Sequence, residues 1–495
     1  MEKSKDKNKK KLKVLFVSPE VVPFAKTGGL ADVSGSLPIA LKKLGLDVRI
    51  VLPLYRMVRD NEIEFHELFE NLEVPLGKDI LKAGIVETRI ADNIPVYMID
   101  REDLFDRPGL YGDAKGNYDD NLERFAFFSH AALLLSKEIS FSPDVVHCHD
   151  WQTGLIPALL KGPYSNHGAF SRAASIFTIH NLGYQGIFPA DKISMTGLPS
   201  RDFFHLEGLE FWGKISLLKA GIVYADAVTT VSPTYAQQIQ TPEYGMGMEG
   251  ILKSRRDVLH GILNGVDYDI WDPSTDPQLA ATYSPENISG KKKCKRSLIL
   301  EAALDLSLQN RPLLGIIARM DSQKGFDLLM QILDSILDMD VGLVLLGSGE
   351  EQTQEALMKA AARYRGRIGL FFGLDDRLAH RIMAGVDIFL IPSRYEPCGL
   401  TQMYALKYGS VPVARATGGL ADTIDHFNVK TGKGNGFAFD LYEPKAFFDA
   451  VKEAVKTFDK KSIWEKIVAN SMQKDFSCES SAKNYKKLYE SVLKE

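Results

Sequence analysis

The sequence predicts an α/β chain of two Rossmann-like, doubly wound domains, and three features carry that reading. Ten short β-branched apolar runs recur along it, most of them followed by a segment of helical period. Gly and Pro turns punctuate the runs, and one six-residue string occurs once in each half. Near-continuous apolar runs alternating with helices are the pattern of a parallel sheet covered on both faces. At 495 residues the chain exceeds what one hydrophobic core supports, so two domains are expected.

Taken in order, residues 1–12 read as a flexible basic tail entering a buried strand. The apolar run Val14 to Val17 is cut by Ser18, Pro19 and Glu20 before it reaches signal-peptide length. The runs VLFVS at 14, VRIVLPL at 48, VVHC at 145, SIFTI at 175 and AVTTV at 227 build an N-terminal domain over 13–260. Between 273 and 311 lie Pro273, Pro277, Pro285 and the run Lys291 to Lys293 with no clean strand, so this stretch is read as a link or cap between the halves. LLGIIA at 313, VGLVLLG at 341, IGLFFG at 368, VDIFLIP at 386 and VPVA at 411 build a second domain over 261–475. The last segment places Tyr485, Leu488, Tyr489, Val492 and Leu493 on one helical stripe, and a helix over 476–495 is expected to complete the N-terminal domain.

Composition removes several classes of function. Lys and Arg total 60 against 64 Asp and Glu, so no excess of positive charge exists for a nucleic-acid backbone or an anionic bilayer. No apolar stretch approaches the roughly 20 residues of a spanning helix. Four dispersed cysteines, Cys148, Cys294, Cys398 and Cys478, form no CxxC pair and fit a reducing cytoplasm better than a disulfide framework or a structural zinc site.

The candidate chemistry sits at strand ends. In KTGGLAD, 26 to 32, Gly28 and Gly29 bare backbone N–H groups at a helix start and Lys26 adds a cation, which suits phosphate; a plain tight turn gives the same string. The string recurs at Thr417 to Asp422, either because two halves are related or because each uses Gly-Gly at a βα turn. LLGSGEEQ at 345 places Gln352 where a dinucleotide fingerprint needs its third small residue, which argues against a nicotinamide enzyme. ARMDSQKG sets Arg319 and Lys324 five apart across a turn, a pairing for a diphosphate or a solvated charged loop. SRYEPCGLT puts Glu396 at a strand end with Cys398, Gly399, Leu400 and Thr401 opening a helix, so Glu396 either contacts sugar hydroxyls or caps that helix. HCHDW at 147 and TIHNLGYQG at 178 offer Asp150, His180 and Asn181 as hydrogen-bonding groups; His147, His149 and Asp150 alternate across a strand, so no metal site is expected.

KTGGLAD, HDW, TIHNLGYQG, LNGVD at 263, ARMDSQKG and SRYEPCGLTQMYALKYG stand in the order found in bacterial glycogen synthases and plant starch synthases. From about residue 13 to the C-terminus the chain resembles that family. The resemblance implies the GT-B fold, two Rossmann-like domains facing an interdomain cleft. It also implies retaining transfer of glucose from ADP-glucose to the non-reducing end of an α-1,4-glucan such as glycogen or a malto-oligosaccharide. No cofactor, nucleic-acid partner or membrane partner is implied. Carried over by motif, His180, Arg319, Lys324 and Glu396 would be catalytic. Lys26, Gly28, Gly29, Asp32, Asp150, Asn181, Asn264, Cys398, Gly399, Leu400 and Thr401 would bind the donor or line its sugar side. Two positions depart from the wider pattern: Gln152 follows HDW where many relatives have His, and Tyr404 stands where other glycosyltransferases carry a second acid.

Overall fold

In a computed structural model, which describes residues 11–494 apart from Glu62 and Ala114, all ten apolar runs become parallel strands. Residues 1–10 of the expected basic tail lie outside the described residues. The described chain divides into two compact units. The first runs through Val231, resumes over Ala236–Gly265 and takes in the chain from Cys478; the second comprises Ser232–Tyr235 and Val266–Ser477.

The first unit carries a nine-stranded sheet in the spatial order Leu259–Gly261, Ala227–Thr230, Ala174–Ile179, Val145–His149, Lys13–Val17, Asp47–Pro53, Ile94–Asp100, Asp79–Ile90, His66–Leu76. The first seven are parallel and the last two extend the edge as an antiparallel hairpin. Lys13–Val17 is the first strand in sequence, and its later neighbours wind outward to either side of it. The topological switch therefore falls between it and Val145–His149, and loops leaving the carboxyl ends of these two strands border a crevice.

The second unit has a six-stranded parallel sheet, Ile368–Phe372, Gly342–Gly347, Leu313–Ile317, Ile388–Ile391, Val411–Arg415, Phe437–Phe439, which is the 3-2-1-4-5-6 order of a doubly wound fold. Its switch lies between Leu313–Ile317 and Ile388–Ile391. Most Val, Leu, Ile and Phe on the parallel strands of both sheets are buried, as strands covered on both faces require, with Phe372 at the edge an exception.

Three expectations are corrected. The unit boundary lies at Gly265/Val266 rather than 260/261, because Leu259–Gly261 pairs with Ala227–Thr230 and Ile262 N–H still bonds Thr230 O at 2.8 Å. Val266 N–H instead bonds Phe476 O at 2.7 Å, which moves the second boundary to Ser477/Cys478 and starts the last helix at Cys478. Of link or cap, the link is corrected for 273–311: the stretch lies within the second unit, as the range 261–475 has it, and its helix Ser289–Glu301 packs on the helix Asp376–Gly385. Two of its lysines are interior. Lys291 Nζ donates to Ser410 Oγ at 2.8 Å and to the carbonyls of Tyr408 and Ala384, while Lys295 Nζ pairs with Asp387 at 2.7 Å. Burial pushes the Lys291 ammonium down to about 8.

The helix Cys478–Val492 packs on Gly29–Lys43. Tyr485, Leu488 and Tyr489 of its stripe are buried, whereas Leu493 is exposed.

Candidate functional site

In the second unit the site follows from strand order. Adjacent strands Leu313–Ile317 and Ile388–Ile391 release the loops carrying Arg319 to Lys324 and Ser393 to Leu400, and Arg394 N–H donates to Gln323 O at 2.8 Å where the loops meet. Lys324 Nζ stands 2.7 Å from Glu396 Oε2, and Ser393 Oγ donates to the same oxygen at 3.0 Å. The glutamate is buried, so its charge is matched where solvent is scarce. Arg319 lies at the exposed rim, its guanidinium 3.7 Å from Asp321 and 3.5 Å from Gln323 Oε1.

Cys398 is buried, and Leu400 caps the helix Thr401–Lys407. The buried Gln402 donates through Nε2 to Cys398 O and Gly399 O, each at 2.8 Å, and so fixes the turn. Tyr404, which stands where a second acid was noted as missing, stacks on Trp271 with ring centroids 3.9 Å apart. It is packed as an aromatic.

In the first unit the loop after Lys13–Val17 carries KTGGLAD to the start of the helix Gly29–Lys43. Lys26 Nζ meets Asp32 Oδ1 at 2.9 Å on the surface. The N–H of Gly28, expected with that of Gly29 to face a phosphate, donates instead to Glu20 Oε2 at 3.3 Å, beside the Thr27 N–H at 2.6 Å. Glu20 is buried, and its other oxygen accepts from Thr27 Oγ1 at 2.6 Å and Tyr111 Oη at 2.7 Å. Tyr111 in turn sits on a segment pinned by a wholly buried arginine. Arg124 donates to Leu104 O at 2.6 Å, Leu110 O at 2.9 Å and Asn121 Oδ1 at 2.7 Å. Glu20, Tyr111 and Arg124 escaped the sequence reading: Glu20 passed for a loop residue that merely interrupts a strand, and nothing local marks a helical arginine as interior.

Across the switch point, Asp150 follows His149 with a left-handed φ of 57°. Its Oδ1 accepts the His180 N–H at 2.7 Å, and the Asn181 N–H also bonds this carboxylate. Burial nevertheless raises the carboxyl to about 7. His180 Nε2 lies 3.0 Å from His149 Nδ1, and the His149 ring meets that of His147 at a 40° tilt with centroids 4.1 Å apart. Desolvation pushes His180 and His147 down to about 3 and His149 well below the usual range, so the row is neutral at pH 7. His147 is held by Tyr489 Oη and Thr178 Oγ1, each at 2.7 Å. Among the described residues no group of three or more His, Cys, Asp or Glu has the arrangement of a metal site.

Asn181 Oδ1 accepts from Gly183 N–H at 2.9 Å. Asn264 is buried at the end of the first unit, and its Oδ1 has no hydrogen-bond partner among the described residues. The same holds for Oε1 of the buried Gln152.

Lys26, Gly28, Gly29, Asp32, Asp150, His180, Asn181 and Asn264 thus fall in the first unit, and Arg319, Lys324, Glu396, Cys398, Gly399, Leu400 and Thr401 in the second. In each unit the acid, Asp150 or Glu396, leaves the strand on the far side of the switch from the loop bearing the cations.

The starch synthase catalytic domain family matches residues 13–254, and the glycosyl transferases group 1 family matches 305–468. A glycogen synthase of Geotalea uraniireducens is 45% identical over 486 residues, covering 97% of this chain and 99% of the relative. That of Desulforamulus reducens is 45% identical over 487 residues with the same coverage of both chains. The solved catalytic domain of starch synthase IV from Arabidopsis thaliana, bound to ADP and acarbose, has a TM-score of 0.91 and 34% identity. That match covers 98% of this chain and all of the other.

Proposed function

Because the chain belongs to the glycogen synthase and starch synthase family and is a glycosyltransferase of GT-B fold, we propose that it transfers glucose from ADP-glucose to the non-reducing end of an α-1,4-glucan with retention of configuration. The observation that carries this reading is the Lys324–Glu396 pair at the switch point of the second sheet. A cation and a carboxylate side by side at the carboxyl ends of parallel strands match the two halves of a nucleotide sugar, diphosphate and glucosyl hydroxyls.

In this mechanism Lys324, with Arg319 at the rim, neutralises charge developing on the departing diphosphate. Glu396 accepts from glucosyl hydroxyls. Its carboxylate is already bound by an ammonium and a hydroxyl, which lowers its nucleophilicity, so it positions the ring and the diphosphate oxygen takes the acceptor's proton on the same face. Neutral His180 serves as a hydrogen-bonding partner for the sugar, and Asp150, held by two backbone N–H groups, orders the His180 to Asn181 turn. The family's acceptors are glycogen and malto-oligosaccharides; ADP-glucose is a substrate, and the reading uses no resident cofactor.

The test is release of nucleoside diphosphate from ADP-glucose and UDP-glucose in the presence of glycogen. ADP release with growth of the glucan is expected; hydrolysis without glucan growth, or a preference for UDP-glucose, overturns the assignment. Glu396→Gln should retain more activity than Glu396→Ala, and glucose esterified to Glu396 in enzyme quenched during turnover would overturn the positioning role.

A further inference from the structure

The first unit carries a small antiparallel sheet, Ile187–Pro189, Lys214–Ser216 and Glu210–Phe211, immediately after the TIHNLGYQG segment that holds His180 and Asn181. Phe211 pairs with Lys214, so Trp212 and Gly213 form a two-residue hairpin loop, with φ of 53° and 73°. Two positive φ values mark a type I′ turn, whose first position favours Asn, Asp or Gly. Trp is a poor occupant of left-handed backbone, and its side chain gains nothing from burial because 82% of the residue is exposed.

A second turn repeats the pattern. Met248 N–H bonds Gly245 O at 2.7 Å around Met246 and Gly247, whose φ values are 50° and 85°, and Met246 is 38% exposed. The two turns adjoin: a side-chain carbon on Gly247 would lie 3.2 Å from the Phe211 ring and 3.6 Å from Trp212 Nε1. Gln185 Nε2 ties this loop back by donating to Met246 O at 3.1 Å, and Tyr184 and Ile187 beside it are 50% and 37% exposed. Two unfavourable turns that leave an indole mostly in water and a methionine partly so, with little burial in return, are the signature of a surface kept for a ligand.

We propose that Trp212, Met246 and Tyr184 form a platform that holds an α-1,4-glucan chain outside the catalytic residues. This rests on the reading of the protein as a glucan glucosyltransferase. The ligand class follows from the surface. A flat, exposed indole matches the apolar C–H face of a pyranose, the Glu210 and Lys214 that flank its turn suit sugar hydroxyls, and Tyr184 and Gln185 carry the platform back along the chain to Asn181 and His180. A few side chains fall short of the roughly 800 Å² per partner of a stable protein interface, so a second protein is the poorer fit. The platform would raise the local concentration of chain ends on a long glucan and leave short acceptors unaffected.

Trp212→Asn separates binding from folding, because Asn suits the turn: the melting temperature should hold or rise. In the full-length enzyme the KM for glycogen should rise roughly five- to twentyfold, as expected for one lost aromatic contact, while KM for ADP-glucose and turnover on maltotriose stay within about twofold. Trp212→Tyr should keep most of the glycogen affinity. Native electrophoresis in gels containing glycogen reads binding without turnover. Retardation of wild type that Trp212→Asn abolishes supports the platform even where ADP-glucose is not the donor. An unchanged glycogen KM in Trp212→Asn overturns the proposal. So does an equal rise for maltotriose, which would put Trp212 in the catalytic pocket, or a concentration-dependent dimer that the substitution dissolves, which would make the face a self-contact.

Discussion

The string TGGLAD folds twice into the start of a helix, and the two copies use their glycines for different reasons. In the first, Gly28 is extended, a side-chain carbon there would meet nothing within 4 Å, and its N–H is held by Glu20. In the second, Gly418 has φ of 46°, and side-chain carbons on Gly418 and Gly419 would lie 1.9 Å from Glu396 O and 2.1 Å from Cys398 O. Gly419 N–H also donates to Glu396 O at 3.1 Å. The acids differ as well: Asp32 pairs with Lys26, whereas Asp422 accepts from Ser232 Oγ at 2.6 Å and Thr234 N–H at 3.0 Å. Identical residues therefore give an open anion-holding turn in one unit and, in the other, a backbone clamp on the loop that carries the acid. A motif reports a turn, and its surroundings decide what the turn holds.

The largest effect expected from breaking this contrast is at the cation that meets the acid of the clamped loop. Lys324→Ala should lower kcat by about two to four powers of ten, and should also lower the melting temperature because the buried Glu396 carboxylate loses its cation. A folded variant with near-normal turnover would remove Lys324 from the chemistry. Next comes the clamp itself. Gly419→Ala drives a methyl into Cys398 O and should destabilise the second unit by about 1–3 kcal/mol, with loss of turnover as Glu396 shifts. Wild-type melting and turnover in that variant would show that the close approach is dispensable.

The first unit should instead answer to pH. Asp150 has a folded pKa of about 7, above its unfolded value near 4, so the stability tied to its protonation is complete below about pH 4 and lost as pH rises through 7. His147 and His180, lowered to about 3, act oppositely: their contribution is present above about pH 6.5 and lost as pH falls toward 3. Thermal melts from pH 4 to 8 should show Asp150→Asn gaining on wild type as pH rises, by about 4 kcal/mol at most. A gap that stays constant over that range would contradict the raised carboxyl.

The smallest effect belongs to the open turn. Gly28→Ala should change stability by no more than about 0.5 kcal/mol, and a rise in KM for ADP-glucose would then report close approach of the ligand to the Gly28 Cα. If it melts as far below wild type as Gly419→Ala, the two copies are equivalent and the contrast fails.

The strands were legible because parallel strands covered on both faces read as plain apolar runs, and the strand-end residues Lys324 and Glu396 were legible with them. The antiparallel edge His66–Leu76 and Asp79–Ile90 was not: charged residues break up the apolar ones of His66–Leu76, and its register shifts between Glu67 and Leu72 interrupt the alternation. Lys291 to Lys293 entered the sequence reading only as part of a strandless link or cap, whereas helical rotation turns Lys291 inward onto carbonyls while Lys292 and Lys293 stay in water. Glu20 was missed because its partners are backbone N–H groups seven and eight residues on and a tyrosine 91 residues away, contacts that leave no periodic trace.

The hydrogen bond between His147 and Tyr489 joins residues 342 apart. Its partner on the last helix leaves the ribosome long after the strands of the first sheet. At about 5–20 residues per second, the stretch from Gly265 to Tyr489 takes on the order of tens of seconds to synthesise. Throughout that time the imidazole row and the face of Gly29–Lys43 wait uncovered while the second unit, contiguous apart from Ser232–Tyr235, is free to fold around its own sheet. The first unit to be synthesised is thus the last to be finished, and a nascent chain stalled before Cys478 presents an apolar face to chaperones that the finished protein hides.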